Sequence, residues 1–251
     1  MQKEELLLQK RLIELSNISY QRNIVTYSDF LNLNELNILQ ISPKNLFPSV
    51  YETFGGYDYA ERQMVSFLPD AFSYTKNYPM QILKIKPLQK KFSDKLSHRD
   101  YLGAILNLGT KRCKIGDILV LEDEALVFLH TTIADFVNES LSRIKHTSVS
   151  TELTLQEDFT YTPKYEEITG SVSSIRLDSL LSLAFPMSRS KLTAFITNGK
   201  VFVGGKLITT NAYKIKDSDV ISVRGMGKFS YNGIISQTKK GRFYISLHKY
   251  V

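Results

Sequence analysis

The residues best placed to do chemistry in this chain are cations at the start of a predicted helix. Ser188 is a natural N-cap, Leu192, Phe195 and Ile196 mark a buried face behind it, and Gly199 supplies the left-handed residue that ends the helix. Arg189 and Lys191 therefore fall in the first turn, off the apolar stripe. A helix N-terminus offers backbone N–H groups with no partner inside the helix, and these already suit a phosphate. An arginine fork and a lysine added to them make a phosphate-docking edge. That chemistry is recognition, not bond making. Sets that could catalyse do not emerge: His98, His130, His146 and His248 are dispersed without zinc-ligand spacing, Cys113 is the single cysteine, and residues 1–170 contain no GxGxxG. His98-Arg99-Asp100 matches the start of a kinase catalytic loop, but Ile105 stands where the metal-binding asparagine is required. Gly225-Met226-Gly227-Lys228 ends in Gly-Lys without the spacing of a phosphate loop. We expect no enzyme activity, no cofactor, no metal and no small-molecule substrate.

Charge points the same way. Residues 171–251 carry 13 Lys and Arg against 3 Asp and Glu, a net +10, whereas residues 1–170 carry 19 against 22, a net −3. A field of one sign confined to one segment draws polyanions to it. An anionic membrane would need an amphipathic helix with large apolar groups opposite the lysines; these cations lie mostly in strand and turn sequence, which leaves nucleic acid or a merely solubilising face, to be separated by position-specific residues. The N-terminus places acids before its short apolar run, unlike a signal peptide, and no apolar stretch reaches the ~18 residues a bilayer requires. A soluble, cytoplasmic protein without membrane contact is expected.

The elements that must position these residues follow from periodicity. Residues 3–16 read as a helix on Leu6, Leu7, Leu8, Leu12, Ile13 and Leu15, and residues 28–40 as a second with Ser28 as N-cap. Val50–Tyr57 and Met64–Leu68 read as strands. Tyr51, Tyr57 and Tyr59 beside Phe54 could stack bases or simply pack a hairpin. Next come a strand at Met80–Ile85, a helix from Ser97 to about Leu108 with Asp100 completing a capping box, and strands at Asp117–Leu121 and Ala125–Leu129. A helix over Ile133–Ile144 and a strand over Thr147–Leu155 complete a β-α-β-β-α-β order, that of ferredoxin-like and RNA-recognition domains. The aromatic-rich third strand of the latter is absent, the segment reading ALVFLH. The likeness is one of shape. An acidic, turn-rich boundary spans 157–171. Beyond it, Leu177, Leu180, Leu181 and Ala184 form one helical stripe, Pro186 ends it, and strands are expected at Val201–Val203 and Val220–Val223 around a Gly204-Gly205 turn. The fold class is α+β in three parts: an N-terminal α/β region (1–75), an RRM-like domain (76–160) and a basic C-terminal module (171–251).

Four blocks of that module resemble the RNA-binding domain first described in small-subunit ribosomal protein S-four. They are Arg176-Leu177-Asp178, Ser188-Arg189, Ile196-x-x-Gly199-Lys200-Val201-x-Val203-x-Gly205-Lys206, and Asp217-x-Asp219-x-Ile221-x-Val223. Gly204 departs from the asparagine usual there, though Gly-Gly suits the same two-residue hairpin. Upstream, HRDYLGAILNLGTKRCKIGDILV (98–120) and the junction KYEEITGSVSSIRLD (164–178) are similar to the YlmH-like bacterial proteins, so the likeness covers nearly the whole chain. It implies an S-four domain joined to an RRM-like domain, association with the large ribosomal subunit and tRNA, and a role in ribosome-associated quality control. It also implies that Arg176 and Arg189 contact RNA; Asp178 matches too, but an acid repels phosphate, so capping or orienting Arg176 is expected of it.

Around those two arginines, Lys191, Lys200, Lys206, Arg224 and Lys228 are candidates to extend a phosphate track, and Ser188 and Ser190 to donate hydrogen bonds. Phe229, Tyr231, Phe243 and Tyr244 interleave with Lys239, Lys240 and Arg242 in a terminal hairpin, expected to pack on the module rather than stack bases. The competing readings are an accessory of an RNA-modifying enzyme and a cell-division scaffold built on residues 1–165.

Overall fold

A computed structural model describes residues 3–69, 77–89, 94–154, 161, 163–239 and 241–250. The chain clusters into two compact units, Met1–Tyr161 and Thr162–Val251, and helix and strand are mixed in both, as an α+β class requires.

In the first unit, helix α1 (Lys3–Arg22) runs six residues past the expected end. Beyond Leu15 its buried face is built of serines: Ser16 and Ser19 are fully buried, Ser19 Oγ donates to the Phe67 carbonyl at 2.9 Å, and Ser16 Oγ accepts from the Ser49 amide at 3.1 Å. Hydrogen-bonded polar groups can occupy a core face that apolar periodicity cannot reveal. Helix α2 (Leu33–Ile41) starts five residues later than expected. Its N-cap is Asn32, whose side chain accepts from the Asn34 and Glu35 amides while Glu35 accepts from the Asn32 amide at 2.6 Å, a capping box. Ser28 is not a cap; its hydroxyl accepts from the Val65 amide at 2.9 Å. Strands β1 (Thr26–Tyr27), β2 (Val50–Phe54) and β3 (Met64–Leu68) form an antiparallel sheet in the order β1-β3-β2. Val65 and Phe67 of β3 pack with Leu12 and Leu15 of α1 and Leu36 and Leu39 of α2.

Strands β4 (Met80–Pro87), β5 (Ile115–Val120), β6 (Ala125–His130), β7 (Arg143–Ile144) and β8 (Thr147–Thr154) form the central sheet, ordered β5-β6-β4-β8-β7. Without the short β7, this is the antiparallel order of a split βαβ fold. Helices α3 (His98–Asn107) and α4 (Thr131–Ser140) cover one face, burying Leu83, Ile85, Val127 and Leu129. The segment expected to continue α4 to Ile144 instead turns at Leu141 and becomes β7.

The second unit carries an antiparallel sheet in the order β11-β10-β12-β13-β14-β9, formed by β9 (Tyr165–Val172), β10 (Val201–Val203), β11 (Lys206–Leu207), β12 (Val220–Val223), β13 (Gly227–Gln237) and β14 (Phe243–Tyr250). Part of the expected boundary is thus an edge strand paired along β14 from Val172↔Phe243 to Tyr165↔Tyr250. Gly170 lies in that strand because α5 (Leu177–Ala184) packs against it; a Cβ there would stand 2.5 Å from a Leu183 methyl. Helices α5 and α6 (Arg189–Thr197) close the core over Val201, Val203, Ile221, Phe229, Tyr231, Ile245 and Leu247. Phe229 and Tyr231 are core residues, as packing rather than stacking requires, and Lys240 lies outside the described residues.

Candidate RNA interface

The N-terminus of α6 is cationic and lacks a side-chain cap. Ser188 occupies the N-cap position with extended φ and ψ, but its side chain makes no cap hydrogen bond; its hydroxyl lies 3.2 Å from that of Ser190. Arg189 and Lys191 are exposed in the first turn, and no acid shares that turn with them. Cations at this end of a helix oppose its dipole, each costing about 0.3–1 kcal/mol at an exposed site. A local rule broken without compensation inside the fold points to function. Gly199, at φ +66, ends α6 as expected.

Arg176 stands at the N-cap of α5, where its guanidinium donates to both carboxylate oxygens of Asp178, Nε at 3.1 Å and a terminal nitrogen at 3.3 Å. This two-point contact fixes the plane of the arginine while leaving its side chain 42% exposed. The backbone of Arg176 bridges that of Lys214, an exposed cation the sequence reading missed. The alternation Lys214-Ile215-Lys216 around buried Ile215 was the available signal.

Lys200, Arg224 and Lys228 gather at one end of the sheet. The Arg224 amide donates to the Lys200 carbonyl at 2.9 Å, and Lys228 sits opposite Ser222 just inside the β12–β13 turn. Aromatic rings hold these cations: Lys200 Nζ lies 5.2 Å from the Phe195 ring centre, the Arg224 guanidinium 5.9 Å from that of Phe202, and Lys228 Nζ 5.8 Å from that of Tyr250. Lys206 lies at the opposite end of β10, after Gly204 and Gly205, whose positive φ values suit a two-residue hairpin. The nine expected residues therefore form three groups, with Lys206 apart. Lys200 and Arg189 flank the two ends of the nine-residue α6, ~14 Å apart along its axis at 1.5 Å per residue.

The central domain is arranged differently. RNA-recognition domains stack bases on the sheet face opposite their helices. Here Met80, Ile82, Leu126 and Phe128 of the central strands β4 and β6 occupy that face, and all four are buried with Phe30, Tyr57, Ala60, Met64 and Tyr78. Phe128 is already stacked by Tyr57, with ring centres 5.4 Å apart and planes at 29°. Gly56 permits the contact: its φ is +100, and a Cβ would lie 2.3 Å from the Phe128 ring. Asp117 on β5 accepts from the Tyr57 hydroxyl at 2.8 Å and from the amides of Glu61 and Arg62, and Arg62 Nε donates to the Ile115 carbonyl at 2.8 Å. The N-terminal region thus occupies the surface on which this fold ordinarily binds RNA. Tyr51, with its ring centre 5.7 Å from that of Phe47, also packs.

Among the described residues, no group of three or more His, Cys, Asp or Glu could hold a metal ion, and no helix is long and apolar enough to cross a membrane.

Comparison with known proteins agrees with this architecture. Residues 74–158 match the family described as a candidate RNA-binding domain in YlmH, and residues 175–221 match the S4 domain. The chain is thus an RNA-binding protein with two such domains. It belongs to the YlmH-like family: it is 30% identical over 197 residues to the ribosome-associated protein quality control protein P2 of Bacillus subtilis, covering 78% of this chain and 76% of that one. The solved structure of the cell division protein YlmH from Streptococcus pneumoniae shares the fold, with a TM-score of 0.51 at 21% identity over 64% of this chain and 97% of that one.

Proposed function

We propose that this protein is a non-catalytic cytoplasmic factor that docks on large-subunit rRNA and an adjoining tRNA, and so serves ribosome-associated quality control. The observation that carries the reading is the α6 N-terminus, where Arg189 and Lys191 stand against the helix dipole with no side-chain cap. That arrangement is unfavourable for the helix alone and favourable once a phosphate arrives. Arg176, oriented by Asp178, and the Lys200–Arg224–Lys228 group supply further cations on the same unit. The name of the Bacillus subtilis relative supports the ribosomal setting. Two polyanionic surfaces engaged by one chain raise the effective concentration at each, so a composite rRNA–tRNA site should bind more tightly than either RNA alone. The test is a sucrose gradient of lysate at two salt concentrations. The protein should travel with large subunits bearing tRNA, and Arg189→Ala should release it at moderate salt. A peak with small subunits, or free protein at low salt, would sink the proposal.

A further inference from the structure

With the sheet face of its central domain covered, RNA must meet the first unit at another surface. One concave surface of this unit lies between α3 and the β7–β8 hairpin. There a cavity of about 480 Å³ is lined by Arg99, Arg143 and Lys145, a concentration of cations within a segment, residues 1–170, whose net charge is −3. We infer that this cavity is a second nucleic-acid site, one that accepts a single unpaired nucleotide with its phosphate on the arginines. The inference rests on the RNA-binding reading above but uses none of its residues.

The charge arrangement is specific. Lys145 Nζ lies 2.7 Å from Asp100 Oδ1, so the one acid in the cavity wall is already neutralised. Ser97 holds the other oxygen of that carboxylate through its amide at 2.8 Å and its hydroxyl at 2.7 Å. Arg99 and Arg143 are exposed and make no ion pair among the described residues, so both forks are available to a phosphate. Lys145 takes φ +52 in the tight turn joining Ile144 to Thr147, a conformation that normally selects glycine or asparagine. A lysine there serves the ion pair rather than the turn.

The size of the cavity and its remaining wall select the rest of the ligand. About 480 Å³ lies within the range of small-molecule sites, roughly 300–1,000 Å³, and exceeds what a lone phosphate fills. Leu108 and Leu141 provide apolar surface for a base, and Asn107 and Ser142 provide hydrogen-bonding groups for its edge. Gly103 leaves the floor open: a Cβ placed there meets no atom within 4 Å. In a duplex the bases are stacked and cannot enter, so the ligand is an unpaired nucleotide of a structured RNA or a free nucleoside monophosphate.

The open space at Gly103 gives a test that leaves every charge in place. In the full-length protein, Gly103→Leu should occupy the floor of the cavity while favouring helix α3, since leucine is a better helix former than glycine. Arg143→Ala is the second variant, read in the same assays. Binding is measured to a blunt RNA hairpin, to the same hairpin carrying a three-nucleotide single-stranded overhang, and to each of the four free nucleoside 5′-monophosphates. We expect both variants to lose at least fivefold in affinity for the overhang RNA, with Gly103→Leu binding the blunt hairpin as before. Loss confined to the free monophosphates would support the site with a metabolite as its source. A folded Gly103→Leu protein that binds every ligand as the parent does would overturn the inference. Failure of Arg189→Ala to weaken binding of the blunt hairpin would instead count against the first reading alone.

Discussion

Arg189 makes two effects of opposite sign measurable in one protein. Replacing it with alanine removes a cation from the positive end of α6 and should stabilise the helix by about 0.3–1 kcal/mol. The same change should weaken RNA binding regardless of sequence and flatten the log-affinity against log-salt slope by about 0.7–0.9 for one lost phosphate contact. Thermal melting and filter binding at several salt concentrations read the two, and an unchanged slope would make the residue structural. Arg176→Lys keeps the charge but loses the two-point contact to Asp178, so it should bind RNA less tightly than the parent and more tightly than Arg176→Ala. Asp100 is the residue with a defined acid response. The hydrogen bond from Lys145, followed by those from the Ser97 amide and hydroxyl, holds its carboxyl down at about 2. A folded carboxyl depressed in this way contributes stability above the ordinary carboxylate range and loses it as pH falls through about 2. An NMR titration should find Asp100 ionised at pH 3, where free carboxylates are largely protonated; Lys145→Ala should shift its midpoint upward.

Two of the close approaches at glycines test how far their neighbours can yield. Gly56→Ala would combine a left-handed backbone with a Cβ 2.3 Å from the Phe128 ring. Overpacking of this kind costs about 1–3 kcal/mol, before any backbone strain is added. Gly170→Val should act similarly in the second unit by pushing Leu183 of α5 off strand β9. Chemical denaturation should show lower midpoints for both; a wild-type midpoint for either would mean that the helix or ring yields freely. Gly103→Ala is the contrast, in open space on an α-helix, and should raise stability by up to about 1 kcal/mol. Three glycines a sequence cannot rank are thus separated by what stands opposite them.

For the whole molecule, the two units lead to fragments with different fates. A fragment of residues 162–251 keeps β9 and the entire basic sheet, whereas one beginning at residue 171 would cut that strand. The longer fragment should fold and bind structured RNA at least roughly tenfold more tightly than residues 1–161, a difference of ~1.4 kcal/mol. Equal affinity would overturn the assignment of the main site to the second unit. Residues 76–160 alone should behave poorly, because removing the N-terminal layer exposes Met80, Ile82, Leu126 and Phe128 together. Each such buried side chain contributes about 1.5–3 kcal/mol, so this fragment should bind a hydrophobic dye and aggregate where 1–161 does not.

Much of the second unit was legible in the residues themselves. The stripe Leu177–Leu180–Leu181–Ala184, the Ser188 N-cap position, the Gly199 stop and the Gly204-Gly205 turn are local signals, each complete within a few residues. The capping box at Ser97 and Asp100 and the order of the central strands were legible for the same reason. Other features depend on residues far apart in the chain. Nothing near Phe128 announces that Tyr57, 71 positions earlier, covers it; an ALVFLH strand has the same alternation whether its second face is wet or dry. The buried serines of α1 reveal themselves only through partners at Ser49 and Phe67. Tyr165–Val172 became a strand because β14 offered it an edge, since its own residues are mostly exposed and carry no strong apolar alternation. The cavity at Arg99 and Arg143 exists because a helix and a hairpin 44 residues apart in sequence meet around a glycine. Local chemistry is written in the order of residues; which surfaces stay open is decided only when distant segments compete to cover them.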